Sequence, residues 1–122
     1  MKYMLLIYGN DELWASFPPE EMATVVAETD ALHASLAESG EFVGAYGVGE
    51  NAVVKTVTRK DGPTIVSDGP YLETKEYLGS FTIVDVDSAE RAFEIASLNP
   101  FARYGQVEVR PLMHEADPHE HR

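Results

Sequence analysis

Short segments rich in apolar residues recur along this chain and predict β-strands. The last of them, at residues 106–111, alternates between hydrophobic and polar positions with the period of two residues that is typical of a strand. The predicted strands lie at residues 2–8, 42–48, 53–58, 64–67, 79–86 and 106–111. The strands at 2–8 and 79–86 are apolar at successive positions, which predicts a sheet covered on both faces.

The first predicted helix begins at Pro18 and Pro19 and ends near Ser39. Proline suits the first turn of a helix, and Gly40 is a favourable residue just after the last turn. Its apolar positions recur at steps of three or four residues. The predicted inward-facing stripe is Met22, Val25, Val26, Thr29, His33 and Leu36.

The second predicted helix begins with a capping-box sequence at residues 87–90, headed by Asp87, and ends at Asn99 and Pro100. Ala89, Ala92, Phe93 and Ala96 form its predicted inner face, and residues 9–17 are predicted to be a loop. The order of elements is β-α-β-β-β-β-α-β. Setting aside a hairpin at 53–67 leaves the ferredoxin-like split βαβ, so we predict an α+β fold with an added β-hairpin.

Two helices can cover one face of such a sheet only. A second copy of the chain is the simplest cover for the other face, because closed two-fold dimers are the commonest oligomers. We therefore predict a homodimer whose sheets face each other, with one domain at residues 1–112 and a flexible polar tail at 113–122.

Composition narrows the functional classes. The chain has 122 residues, no cysteine and a formal net charge of −12. This acidity argues against nucleic-acid binding, and no segment has the ~18 apolar residues of a membrane span. Without cysteine there are no disulfides or thiolate metal ligands, which favours a cytoplasmic protein. We expect no cofactor and no structural metal, since the His- and acid-containing tail is the sole candidate and such tails bind metals incidentally.

The segment from Asp68 to Glu76, called here the signature segment, combines a turn signal with unusual charge. Its sequence is Asp-Gly-Pro-Tyr-Leu-Glu-Thr-Lys-Glu. It is either a solvated turn or the polar wall of a ligand pocket, and long charged connections in small domains are often functional. In the second reading Asp68 is a base or ligand contact, while Glu73, Lys75 and Glu76 hold the segment or a charged ligand group. Tyr71 is predicted to anchor the segment in the core.

Other candidate residues lie outside the signature segment. His33 shares one face of the first helix with Thr29 and is either a hydrogen-bonded core residue or a general base. Trp14 either covers the edge of the core or forms a flat pocket wall. Tyr46 follows Gly44 on a glycine-rich strand and can serve either the core or a pocket.

The signature segment closely resembles the motif of the YCII-related, or DGPF-domain, family, in which Phe is usual at the position of Tyr71. The resemblance extends through Ser39–Val43, Leu78–Phe81 and Val107–Pro111. It implies dimers of the dimeric α/β-barrel type and a pocket of unknown ligand. It also implies a link to extracytoplasmic-function sigma factors, and for some relatives a role in breaking down chlorinated aromatics.

One departure from the family pattern concerns its suggested catalytic pair. The shorter YciI-type members carry a His and an Asp where this chain has Thr29 and Asn99, neither of which transfers protons near neutral pH. We therefore expect a protein that binds a small organic ligand, with any cofactor-independent acid–base chemistry carried by Asp68 or His33. The alternatives are a non-catalytic sensing or regulatory module and a dimerising scaffold without ligand.

Overall fold

A four-stranded antiparallel sheet forms the centre of the protein in the computed structural model, which describes residues 1–119. Its strand order is β2-β5-β1-β6. These strands are β1 (Lys2–Gly9), β2 (Phe42–Gly47), β5 (Tyr77–Asp85) and β6 (Val107–Pro111). Strands β3 (Lys55–Thr58) and β4 (Ile65–Asp68) form a separate two-stranded hairpin, as the sequence predicted. The α+β class is confirmed, and the sheet is open at β2 and β6.

Two long helices pack against one face of this sheet. They are α2 (Pro19–Ser39) and α3 (Ala89–Leu98), and a short helix, α1 (Asp11–Ala15), precedes them. The core joins residues of β1, α2, β5 and α3, and it comprises Tyr3, Leu5, Leu36, Val84, Val86, Ala92, Ile95 and Ala96. Because Tyr3 and Leu5 point to the same side of β1, both helices lie on that side.

Helix α1 lies in the segment predicted to be a loop, so that prediction is wrong. The side chain of Asn10 accepts a hydrogen bond from the Leu13 amide at 2.8 Å and caps the helix. A single turn has no apolar period, which is why its sequence lacks the usual helical pattern. The other helix ends follow prediction more closely: Gly40 adopts the left-handed conformation, with φ 81°, just after α2.

Three side chains predicted to be buried are exposed. Phe93 is half-exposed and Ile95 is buried in its place on α3, while Val26 of α2 is also half-exposed. Tyr71 is 84% exposed, so it does not anchor the signature segment in the core of this chain.

Helix α3 is capped by Ser88, which accepts from the Arg91 amide, rather than by Asp87.

Residues 113–119 of the predicted tail contain neither helix nor strand, although Lys2 forms an ion pair with Glu115 at 2.6 Å. The predicted tail also includes 120–122, which lie outside the described residues. No helix within residues 1–119 combines the length and the apolar content needed to cross a membrane.

Candidate functional site

A cleft of about 270 Å³ lies between α2, the helix-covered face of the sheet and the turn at Pro100–Arg103. We call it the inner cleft. None of its lining residues carries a formal charge when the imidazole of His33 is neutral. They are Ile7, Thr29, His33, Phe42, Ala45, Tyr46, Gly47, Ser80, Phe81, Thr82, Asn99 and Phe101.

The inner cleft exists because small residues of β2 face polar residues of α2. Thr29 and His33 lie one helical turn apart, so both project towards the sheet. Opposite them stand Ala45 and Gly47, and a Cβ added at Gly47 would meet no atom within 4 Å. The imidazole of His33 rests against the Phe42 ring, with centroids 5.2 Å apart. The space between helix and strand therefore stays unfilled.

Two deeply buried polar side chains open into this space. Thr82 is 7% exposed and Asn99 is 6% exposed. Asn99 uses its Oδ1 atom to accept from the Phe101 amide at 2.9 Å, which fixes the following turn. Within residues 1–119, no side-chain hydrogen bond engages the Thr82 hydroxyl or the Asn99 amide nitrogen, and no side-chain polar atom there is both unpaired and sealed from solvent. Both groups therefore face the cleft.

The remaining polar groups of the inner cleft are His33, Ser80 and Thr29. The Thr29 hydroxyl already donates to the Val25 carbonyl at 2.8 Å, so it is left as an acceptor. Tyr46 touches the rim, but its ring lies against Phe81 at 5.4 Å on the sheet face away from the helices. The side-chain groups free to bind a ligand in the cleft are therefore those of His33, Ser80, Thr82 and Asn99.

A second cleft, of about 680 Å³, adjoins the first, and we call it the outer cleft. The two share Ile7, Ser80 and Phe101 as lining residues, which makes them neighbouring parts of one groove. Trp14 of α1 lines the outer part and contacts the Phe101 ring edge-on at 5.7 Å. The outer cleft also contains Asp11, Ala15, Val48, Glu50, Tyr77 and Gly79.

The indole of Trp14 occupies space that two glycines leave free. A Cβ added at Gly9 would lie 2.2 Å from the indole, and one at Gly79 would lie 3.1 Å from it. Nearby, the Tyr77 hydroxyl donates to the Asp11 carboxylate at 2.5 Å. This hydrogen bond raises the pKa of Tyr77 above its ordinary value, so the phenol stays protonated.

The signature segment lies away from the inner cleft. Asp68 ends β4 with its side chain 89% exposed and forms an ion pair with Lys55. Glu73 is exposed and lines none of the clefts described here. Lys75 lines a space of about 340 Å³ with Asp11, and Glu76 lines a separate space of about 650 Å³. The structure therefore brings His33 and Thr29 together in the inner cleft, places Tyr46 at its rim and does not bring Asp68 to them.

The family can be decided from the sequence comparison. The chain matches the YCII-related domain over residues 1–116. It belongs to the YCII-related family. It is also 31% identical to an uncharacterised protein of Rhizobium meliloti (strain 1021) over 116 residues, which cover 92% of each chain. The resemblance seen in the signature segment is thus confirmed over nearly the whole length of this YCII-related chain.

Thr82 and Ser80 were not among the candidates suggested by the sequence of this YCII-related protein. Thr82 lies within an apolar strand, where threonine is a common β-branched filler and carries no distinguishing signal. The sequence identified Asn99 only as the predicted end of the second helix and as the counterpart of the YciI-type Asp. One feature of the sequence could have pointed to Thr82. It is a polar residue in an otherwise apolar strand, and it pairs with the core residue Leu5 on the same face of the sheet.

Proposed function

We propose that this YCII-related protein binds a small organic molecule in the inner cleft, through a neutral acceptor group such as a carbonyl or amide oxygen. The observation that carries the proposal is a pair of donors, the Thr82 hydroxyl and the Asn99 amide nitrogen, which face the cleft and form no side-chain hydrogen bond within residues 1–119. Their side chains are mostly buried, but these two atoms are open to the cleft. A ligand oxygen beside them accepts from both, and each such hydrogen bond contributes about 1 kcal/mol.

His33 is the candidate for acid–base chemistry at this site. It is the one of the two predicted catalytic residues, His33 and Asp68, that lines the inner cleft. Imidazole exchanges protons near neutral pH more readily than the hydroxyl and amide groups around it. Donors on a carbonyl oxygen stabilise the negative charge that develops when a neighbouring carbon loses a proton. The proposed reaction class is therefore proton transfer beside a carbonyl, without a cofactor.

Ligand binding is tested with caproamide, a short uncharged amide, titrated by NMR against the wild type and Thr82→Val. The valine variant keeps the shape of the side chain and removes the hydroxyl, so we expect affinity to fall about fivefold. Thr64→Val is the matched control, because Thr64 is exposed and lines none of the clefts. Equal binding by the wild type and Thr82→Val would contradict the proposed site.

Catalysis is tested separately from binding. In heavy water, NMR follows the exchange of the protons beside the carbonyl of bound 2-hexanone, a ketone of similar length whose protons are acidic enough to report proton transfer. Exchange that is faster than in buffer and is lost in His33→Gln supports the enzymatic role. Binding without such exchange supports the alternative, a non-catalytic ligand-sensing module, which needs only the cleft. A link to sigma-factor regulation and a cytoplasmic location stay predictions.

The strand order also supports a proposal about assembly. With the β3–β4 hairpin set aside, the connectivity and the order β2-β5-β1-β6 are those of a ferredoxin-like unit. The sheet face away from the helices carries Met4, Leu6, Tyr8, Phe81 and Ile83. We propose that a second copy covers this face in a dimeric α/β barrel, because a large apolar sheet face is seldom left to solvent.

The hairpin supports the same assembly. Its side chains Val57, Ile65 and Val66 are exposed, although an isolated hairpin is only marginally stable. Residues 55–68 contain three basic and two acidic residues in a chain of net charge −12, so the hairpin is complementary in charge to the body of another copy. Light scattering at micromolar concentration should give the dimer mass, and Ile83→Lys should shift it towards the monomer. A monomeric wild type would contradict this proposal.

A further inference from the structure

We propose that the ligand is elongated, with a neutral carbonyl-type head in the inner cleft and a protonated amine in the outer cleft. This inference rests on the proposed function of the inner cleft and extends it to the chemical class of the ligand. The carbonyl end meets Thr82 and Asn99, the apolar middle passes Trp14 and Phe101, and the amine meets the carboxylates of Glu50 and Asp11.

The continuity of the groove carries the first step of the argument. Ile7, Ser80 and Phe101 line both clefts, so a molecule seated against Thr82 extends past these residues towards Trp14. The inner cleft alone, at about 270 Å³, is smaller than most ligand pockets, whereas the two together are of ordinary size. A ligand that fills the groove is therefore longer than the inner cleft.

The charge of the lining residues carries the second step. The inner cleft has His33 but no Asp, Glu, Lys or Arg among its lining residues, and the outer cleft has two acids, Asp11 and Glu50, and no Lys or Arg. Within residues 1–119, the Glu50 carboxylate takes part in no ion pair or side-chain hydrogen bond. Asp11 accepts from Tyr77 and still has acceptor capacity, since a carboxylate has about four lone-pair sites.

Electrostatics and the aromatic wall favour a cation over an anion at this end. Two carboxylates repel an anionic group and attract an ammonium, and the net charge of −12 adds attraction at longer range. The face of Trp14 is also a favourable surface for an ammonium. Lys75 is a competing cation, because it lines a neighbouring space together with Asp11 and Tyr77. Glu50 does not line that space, so it is the better residue to test.

Three probes of matched length distinguish the contributions of the two ends of the ligand to binding. They are ε-aminocaproamide, which carries an ammonium, caproamide, which is neutral, and adipamic acid, which carries a carboxylate. We expect affinities in that order, with about tenfold between successive members at low ionic strength and a smaller gap in high salt. Glu50→Gln should remove most of the gap between the first two probes. Glu73→Gln is the matched control, and it should leave the order and the gap unchanged.

The outcomes distinguish this inference from the proposed function. If caproamide binds as tightly as ε-aminocaproamide, or if Glu50→Gln leaves their gap intact, the inference is overturned. If in that case Thr82→Val still weakens all three probes, the proposed function of the inner cleft stands. If no probe binds at millimolar concentration, or Thr82→Val has no effect, the inner cleft is not the site and both proposals fail.

Discussion

The inner cleft and the signature segment show how differently charge and burial mark a site. The signature segment carries Asp68, Glu73, Lys75 and Glu76, yet Asp68 is exposed and ion-paired and Glu73 lines no described cleft. The inner cleft has no Asp, Glu, Lys or Arg, but the Thr82 hydroxyl and the Asn99 amide nitrogen face it without a side-chain partner within residues 1–119. An exposed ion pair contributes little, because water solvates both charges, whereas each donor inside the cleft can form a hydrogen bond worth about 1 kcal/mol with a ligand.

The region around Trp14 and the signature segment require glycine for different physical reasons. Gly9 is required for space, because a Cβ there would collide with the Trp14 indole. Gly69 of the signature segment is required for its backbone, with φ 89°, and has open space around it. The region around Trp14 is therefore sensitive to volume, and the signature segment is sensitive to backbone conformation.

The largest effect is expected from Gly9→Ala. The added methyl group forces the indole or the strand to move, which should lower the free energy of unfolding by about 1–3 kcal/mol. Since Trp14 is the only tryptophan, its fluorescence should shift towards the value of exposed indole. Gly69→Ala should cost about 1 kcal/mol through backbone strain, with no change in fluorescence. Denaturant titrations followed by tryptophan fluorescence measure the stability of both variants. Equal spectra for Gly9→Ala and Gly69→Ala would contradict the different roles of the two glycines.

The second prediction fills the inner cleft with Ala45→Leu. The larger side chain occupies the space in front of His33, so caproamide binding should fall by more than about tenfold. Stability should change by less than about 1.5 kcal/mol, because the methyl groups enter an existing space. Val66→Leu on the exposed hairpin is the control and should leave binding unchanged. Unimpaired binding by a folded Ala45→Leu protein would show that the ligand binds elsewhere.

The third and smallest effect compares two ion pairs. Arg91 holds Glu41 with two hydrogen bonds of 2.8 Å, and the Glu41 side chain is 18% exposed, whereas the Lys55–Asp68 pair is largely in solvent. Hydrogen bonds from Arg91, and then from Ser39, lower the pKa of Glu41 to about 2 from an ordinary 4.5. Glu41→Gln should therefore cost about 1 kcal/mol at neutral pH, while Asp68→Asn should cost nothing measurable.

The sign of the pH dependence follows from the lowered pKa of Glu41. A carboxylate with a lower pKa in the folded state stabilises the fold above its unfolded pKa. This contribution should be lost as the pH falls from about 4.5 towards about 2. Unfolding free energies measured across this window should fall in the wild type and fall less in Glu41→Gln. Parallel curves for the two proteins would contradict the assignment.

Much of the fold could be predicted, because β1 and β5 are nearly continuous runs of apolar residues, and Pro18 and Pro19 mark the start of α2 and Gly40 its end. Helix α1 could not, since it is a single turn held by the Asn10 cap. Phe93 was misplaced because a short helix allows several inward stripes, and the observed one passes through Ile95.

The candidate site was harder to predict than the fold. His33 and Thr29 could be predicted as candidates because they share a helical face with core residues. Thr82 was not, because its role depends on small residues of a neighbouring strand leaving space beside it. The signature segment identified the family correctly, but its charge density did not reveal where it lies relative to the inner cleft.

A proton–nitrogen NMR titration of the labelled protein with caproamide tests most directly the claim that the inner cleft is the ligand site. The side-chain amide of Asn99 and the backbone amides of Ser80 and Thr82 should shift with one common dissociation constant. The backbone amides of residues 71–76, in the signature segment, should stay in place. Shifts confined to the signature segment, with the Asn99 side chain unmoved, would contradict the account.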